Sequence, residues 1–183
     1  MNRLKVFDSS VENLHRECLY SKIIKKLDAI EVLDYAEDRS DVSFLTRYLS
    51  AVRDCVVAKE CLVAHVDELR RMVKDVEHRF LGWQPIVPRS PLAKFNDALE
   101  SAFDYSGFRD KKGHKNDDWG GEVLMRKLLE DVYYCPYCNA ETVYAIEMDV
   151  DGEGRPPLIK AAFDHFYPKG RYPFLSVSLY NLI

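Results

Sequence analysis

The chain has 183 residues and a mass of 21.3 kDa, which suits one domain or two small ones. Hydrophobic residues at 47% and charged residues at 31% exclude wholesale disorder, and no apolar run approaches the roughly 18 residues that a membrane span needs. With 26 Lys and Arg against 30 Asp and Glu the chain is acidic, so a nucleic-acid role requires the fold to gather a local basic patch. The opening MNRLKVFDSSVENL has no apolar core behind its basic residues, so it does not read as a secretory signal; a cytoplasmic protein without a membrane partner is expected.

The first half reads as helices. Residues 11–33 carry Leu14, Cys18, Ile23, Leu27 and Ile30 close to a 3.6-residue period. Asp41 or Ser43 is placed to cap a second helix through Phe44, Leu45, Tyr48, Leu49, Val52, Val56 and Val57. Leu62, Val66, Leu69, Val73 and Val76 continue the pattern, and with no Gly or Pro between 41 and 81, one long helix and a tight pair fit equally well. Gly82, Pro85, Pro88 and Pro91 then break the chain. Ser90 with Pro91 behind it predicts a capped helix to about Tyr105. A polar loop at 106–116 precedes a helix over 121–132, opened by Asp117 or Asp118. Beyond Tyr133 the β-branched and aromatic run 142–149, the turn DVDGEG and the run 157–163 predict a hairpin. The division expected is a helical domain over 1–115 and a small α+β module over 116–183.

Charge is distributed unevenly. Residues 109–115 hold four cations against one acid, and Arg155, Lys160, Lys169 and Arg171 face only Asp164 in 155–183. Between them, 116–154 holds ten acids and two cations. The five cysteines are odd in number, which argues against a disulfide framework. Cys18, Cys55 and Cys61 follow helical faces and are expected to act as small hydrophobes. Cys61 and His65, four apart, are expected on one face of an apolar helix.

Two clusters carry chemistry. Cys135-Pro136-Tyr137-Cys138 has the short spacing that lets two thiolates grip one tetrahedral zinc ion; a redox pair or two unbound thiols are the bland alternatives. The second cluster is Asp164-His165 just past the second predicted strand, with Asn181 sixteen residues after the histidine. A carboxylate can hold a divalent cation, and a neighbouring imidazole with a pKa near 6.5 can take a proton from water. Tyr133, Tyr134, Phe166, Tyr167, Tyr172 and Phe174 form an aromatic cluster that reads as module core, with base stacking as the functional alternative.

Over roughly its last 65 residues the chain resembles HNH endonucleases of the ββα-metal type, in a bacterial branch that reads CPYCN, a hairpin, DHFYPKSKYP and YNLIPSC. Here CPYCN stands at Cys135–Asn139, DHFYPKGRYP at Asp164–Pro173 and SLYNLI at Ser178–Ile183. The resemblance implies Asp164 as the ligand of a catalytic Mg²⁺-like ion, His165 as general base and Asn181 as the support of the histidine loop. It implies Cys135 and Cys138 as half of a structural zinc site and Lys169 and Arg171 as phosphate contacts. Arg155 and Lys160 are weaker candidates for the same contacts. The branch continues with Pro-Ser-Cys-x-x-Cys-Asn, whereas this sequence stops at Ile183 on an apolar run with nothing beyond to cover it, so a truncation is expected. The function implied is metal-dependent hydrolysis of DNA, in a defence effector against phage working with an ATPase partner. The alternatives are a zinc-knuckle module that binds nucleic acid or protein without cutting, and a helical domain that carries the function beside an inert remnant.

Overall fold

The computed structural model describes residues 7–58, 60–82, 86–111, 119–129 and 164–182. Among these residues helix dominates and no strand occurs; the β pairing seen is an isolated antiparallel bridge between His165 and Leu182. The helical part of the expected fold class is therefore observed. The hairpin expected at 142–149 and 157–163, Cys135, Cys138, Arg155 and Lys160 lie outside the described residues. Among the described residues no helix is long and apolar enough to cross a membrane.

The chain forms two compact units. One gathers 9–105 with 165–182; the other gathers 1–8 with 106–164 and Ile183. This differs from the division at 115/116, because the apolar run near the end is built into the helical unit. Phe174, Leu175, Val177, Leu179 and Leu182 are all buried, and so are Ser176, Ser178 and Asn181 between them. A strand with one wet face would alternate; this segment is enclosed on all sides, so the expectation that nothing covers it is corrected.

In the helical unit, helix α1 (Ser9–Leu27) buries Val11, His15, Leu19, Ile23 and Leu27, a strict i, i+4 stripe. It stops six residues short of the expected Leu33, giving way to a 3₁₀ turn at Val32–Asp34. Helix α2 (Arg39–Val57) is capped by Asp38, whose carboxylate accepts from the backbone N–H of Ser40 at 2.7 Å and of Asp41 at 2.9 Å. Asp38, not Asp41 or Ser43, is thus the cap. The uncertain stretch that follows is neither one helix nor a simple pair. Helix α3 (Glu60–Val63) is a single turn, and helix α4 (Val66–Val76) starts afresh after His65. The break needs no Gly or Pro because the Leu62 carbonyl accepts instead from the backbone N–H of Leu179, at 2.8 Å. Cys61 and His65 consequently do not share a helix face: Cys61 is buried, while His65 is half-exposed with its ring 4.3 Å from that of Tyr180.

Helix α4 widens into a π turn at Glu77–Leu81, ended by Gly82 at φ 63°, a conformation suited to glycine. Ser90 caps helix α5 (Pro91–Phe103) with Pro91 at its first position, as the sequence indicates. Helix α1 packs on α2, α3 and α5, and the 3₁₀ turn Pro173–Leu175 packs on α5 and α3. A short helix α6 (Tyr105–Arg109) leads out of this unit. In the other unit, helix α7 (Gly121–Leu129) buries Leu124 and Met125. A Cβ on Gly121 would lie 2.5 Å from the Arg109 carbonyl oxygen, so the close approach there requires glycine.

One buried polar contact ties α1 to the C-terminal segment. His15 is fully enclosed, with Nε2 2.7 Å from the Val177 carbonyl. A carbonyl only accepts, so Nε2 carries the proton. Burial disfavours the charged ring and pulls its pKa from 6.5 down to about 4, against a smaller upward pull from the carbonyl. The unfolded chain therefore binds a proton that the folded chain refuses. The stability that His15 confers is complete above pH 6.5 and is lost as pH falls toward 4, by up to about 1.4 kcal/mol per pH unit. Urea unfolding at pH 7 and pH 5 is expected to show this loss in the wild type, and a shallower one in His15→Gln, which keeps an N–H for Val177. Equal pH dependence in both proteins would contradict it.

Candidate active site

The Asp-His segment and the Leu-Tyr-Asn segment meet within the helical unit. His165 is half-buried, and its Nε2 lies 2.9 Å from the Ser176 carbonyl. As with His15, the acceptor fixes the neutral tautomer: Nε2 holds the proton and the lone pair resides on Nδ1. The ring stands edge-on to Tyr105, with centroids 4.5 Å apart and planes at 67°. The Ser176 carbonyl and the Tyr105 ring both orient this imidazole.

Asn181 is wholly buried and clamps the loop that follows His165. Its Oδ1 accepts from the Tyr167 N–H at 2.7 Å, and its Nδ2 donates to the Tyr167 carbonyl at 3.1 Å and the Leu175 carbonyl at 2.8 Å. The backbone adds a fourth link, Phe166 N–H to the Asn181 carbonyl at 3.0 Å. An amide side chain suits this position because it alone offers an acceptor and two donors in one plane. Asn181 thus touches the histidine loop through backbone groups.

The two cations assigned to phosphate are placed differently from each other. Lys169 donates from Nζ to Glu100 Oε1 and lies 5.4 Å from the centre of the Tyr105 ring, leaving its side chain 37% exposed. Tyr105 therefore contacts both His165 and Lys169. Arg171 instead faces inward. Its Nε and one terminal nitrogen reach the two carboxylate oxygens of Glu77 at 2.6 and 2.8 Å, and the same terminal nitrogen donates to the Gly82 carbonyl at 2.7 Å. Tyr172 donates its hydroxyl proton to Glu77 at 2.5 Å. The Arg171 bond, aided by that of Tyr172, holds the buried Glu77 carboxyl below its ordinary range, and the same pairing raises Arg171. Arg171 thus makes a fold-holding ion pair with Glu77.

Asp164 is exposed and precedes His165 in the chain. Its carboxylate is a hard oxygen donor, and Mg²⁺ is commonly held by one or two protein carboxylates together with water and substrate phosphate. The Asp164 carboxylate fits such an ion. Among the described residues no group of three or more His, Cys, Asp and Glu gathers to hold a metal. Of the aromatic cluster, Tyr133 and Tyr134 lie outside the described residues; among the others, Tyr172 and Phe174 are buried, whereas Phe166 is 40% exposed with its ring 4.9 Å from that of Tyr167.

Tyr105, Glu100, Glu77 and the Ser176 carbonyl were not among the residues singled out from the sequence. Glu77 had a legible signal, since it falls four residues after Val73 on the apolar stripe of α4. The others depend on tertiary contact alone. Comparisons with protein-family models, with curated proteins and with solved structures return no match.

Proposed function

We propose that this chain is a metal-dependent endonuclease that hydrolyses DNA phosphodiester bonds, with His165 as general base and Asp164 as a ligand of a divalent ion such as Mg²⁺. The observation that carries the reading is the orientation of His165. Its Nε2–H is committed to the Ser176 carbonyl, so Nδ1 is the atom that would take a proton from water. The deprotonated water attacks phosphorus and the 3′ oxygen leaves. The Ser176 carbonyl, accepting from Nε2, also favours the imidazolium that forms, and Tyr105 keeps the ring from turning. Asn181 acts as a positioning residue through the Tyr167 backbone. Lys169, ion-paired with Glu100 and 37% exposed, and Arg171 are the proposed phosphate contacts, and the 40% exposed Phe166 ring is a proposed stacking surface for a base. When bound, a divalent ion supplies charge neutralisation at the phosphate. A structural zinc on Cys135 and Cys138, and a protein partner such as an ATPase docking on the helical unit, belong to the same proposal; the acidic chain suits a protein brought to DNA by a partner.

Incubation of plasmid DNA with Mg²⁺ or Mn²⁺ tests it. The full chain is expected to cut, and His165→Ala to cut on the order of 10²–10⁴ times more slowly while keeping its helical circular dichroism. Equal rates would remove His165 from the chemistry. No cutting by either, with or without a partner, would favour a binding module.

A further inference from the structure

Lys169 meets two partners at once. Its ammonium donates to Glu100 Oε1 and lies 5.4 Å from the centre of the Tyr105 ring. The turn that carries it is fixed at the backbone, where the N–H groups of Arg171 and Tyr172 both donate to the Pro168 carbonyl, at 3.1 and 3.0 Å. The space beside it is open, since a Cβ on Gly170 would meet no atom within 4 Å. Both side chains of the pair are partly exposed, so a large anion can reach them. Glu100 is poorly placed for its own helix. It lies in the last turn of α5, where unpaired carbonyls make the helix end negative and a carboxylate is repelled, and that turn carries no basic residue. Lys26 already supplies this helix end with a cation, donating to the Ser101 carbonyl at 3.3 Å and to Asp104 at 2.9 Å. Neither member of the Lys169–Glu100 pair is therefore required to finish α5.

We propose that Glu100 is a resident counter-ion on Lys169 that a DNA backbone phosphate displaces, so that Glu100 sets how tightly the chain holds DNA. This rests on the endonuclease reading of the same site. A carboxylate and a phosphodiester are both singly charged oxygen acceptors, and an ammonium binds either as a point charge. The exchange swaps one anion for another on the same cation. It leaves Glu100 uncompensated beside a negative strand, and that lowers affinity. Tyr105 keeps the ammonium in place during the exchange, because its ring face attracts the cation whichever anion is present. The same ring stands 4.5 Å from the His165 ring, centre to centre, so a phosphate taken up on Lys169 arrives near the proposed base.

The test titrates fluorescently labelled duplex DNA with the full chain, without added divalent ion, at about 50 to 200 mM salt, and reads anisotropy. Glu100→Gln keeps the size of the side chain and removes its charge. It is expected to bind about tenfold more tightly than wild type at the lowest salt, and to steepen log K against log salt by about 0.9, as one further phosphate contact does. In Glu100→Gln with Lys169→Gln, both the gain and the steeper slope are expected to vanish. A gain that persists without Lys169 would be a general effect of lowering negative charge and would overturn the proposal. So would no saturable binding by any of the three proteins. A merely structural pair gives Glu100→Gln a lower melting temperature and unchanged DNA affinity, which also overturns it. The endonuclease reading stands or falls separately. A Lys169-dependent gain in a chain that never cuts removes the nuclease and keeps the counter-ion, whereas His165-dependent cutting without the gain keeps the nuclease and removes the counter-ion.

Discussion

Replacing Glu77 with alanine is expected to lower the unfolding free energy by about 3–5 kcal/mol, because it removes one partner of a buried ion pair and leaves the other uncompensated. Glu77 is 1% exposed and Arg171 22%. Three protein donors converge on that carboxylate, two from Arg171 and one from Tyr172, and alanine strands all of them. A loss of this size is a large part of the 5–15 kcal/mol that a typical domain commands. Replacing both partners is a different matter. Glu77→Met with Arg171→Met removes the buried charges together, and the double variant is expected to be more stable than Glu77→Ala, since neither desolvated ion remains. Urea unfolding of the three proteins decides between these roles. If Glu77→Ala costs under about 1 kcal/mol, the pair behaves as an ordinary surface bridge and the inward role of Arg171 is wrong. Glu77 also carries a pH signature. Its carboxyl is held low by Arg171, so its contribution is present above the ordinary carboxylate pKa and disappears as pH falls through the lower folded value.

Asn181→Asp is expected to be more damaging at pH 7 than Asn181→Ala. Alanine forfeits three side-chain hydrogen bonds in a dry setting, worth about 3 kcal/mol together at roughly 1 kcal/mol each. Aspartate has the same shape but no N–H, so its carboxylate would face the carbonyl oxygens of Tyr167 and Leu175 with like polarity. Protonation gives it one donor, so the penalty of Asn181→Asp is expected to shrink as pH is lowered, while that of Asn181→Ala does not shrink in the same way. Thermal unfolding of both variants across pH 7 to 5 reads the crossover. Identical pH profiles would mean that the amide is not the loop clamp described.

Much of the helical unit is legible in the sequence because its rules are local. Ser90 followed by Pro91 marks the start of α5, and the i, i+4 apolar stripe marks α1. Local rules fail where a distant segment supplies the hydrogen bonds. The break between α3 and α4 follows from Leu179 taking the Leu62 carbonyl, and nothing between 58 and 65 announces it. The fate of the last apolar run is non-local in the same way. Its residues resemble a bare strand until α1, α3 and α5 are seen to surround it. At the candidate site the sequence motif brings His165 and Asn181 to notice, but the tautomer of His165 depends on a carbonyl eleven residues away and its tilt on Tyr105. Arg171 shows the same limit: its pairing with the buried Glu77, 94 residues earlier, has no local signal in the sequence.

The segment bearing His165 and Asn181 is an integral part of the helical unit. Amide hydrogen exchange on the full chain, resolved by peptide, measures this directly. The backbone N–H groups of Leu175, Ser176, Ser178, Leu179, Asn181 and Leu182 are all hydrogen-bonded, and they are expected to open only with the helices Ser9–Leu27 and Pro91–Phe103, with the same free energy. Exchange of 175–182 at the rate of a frayed terminus, while those two helices remain protected, would contradict it.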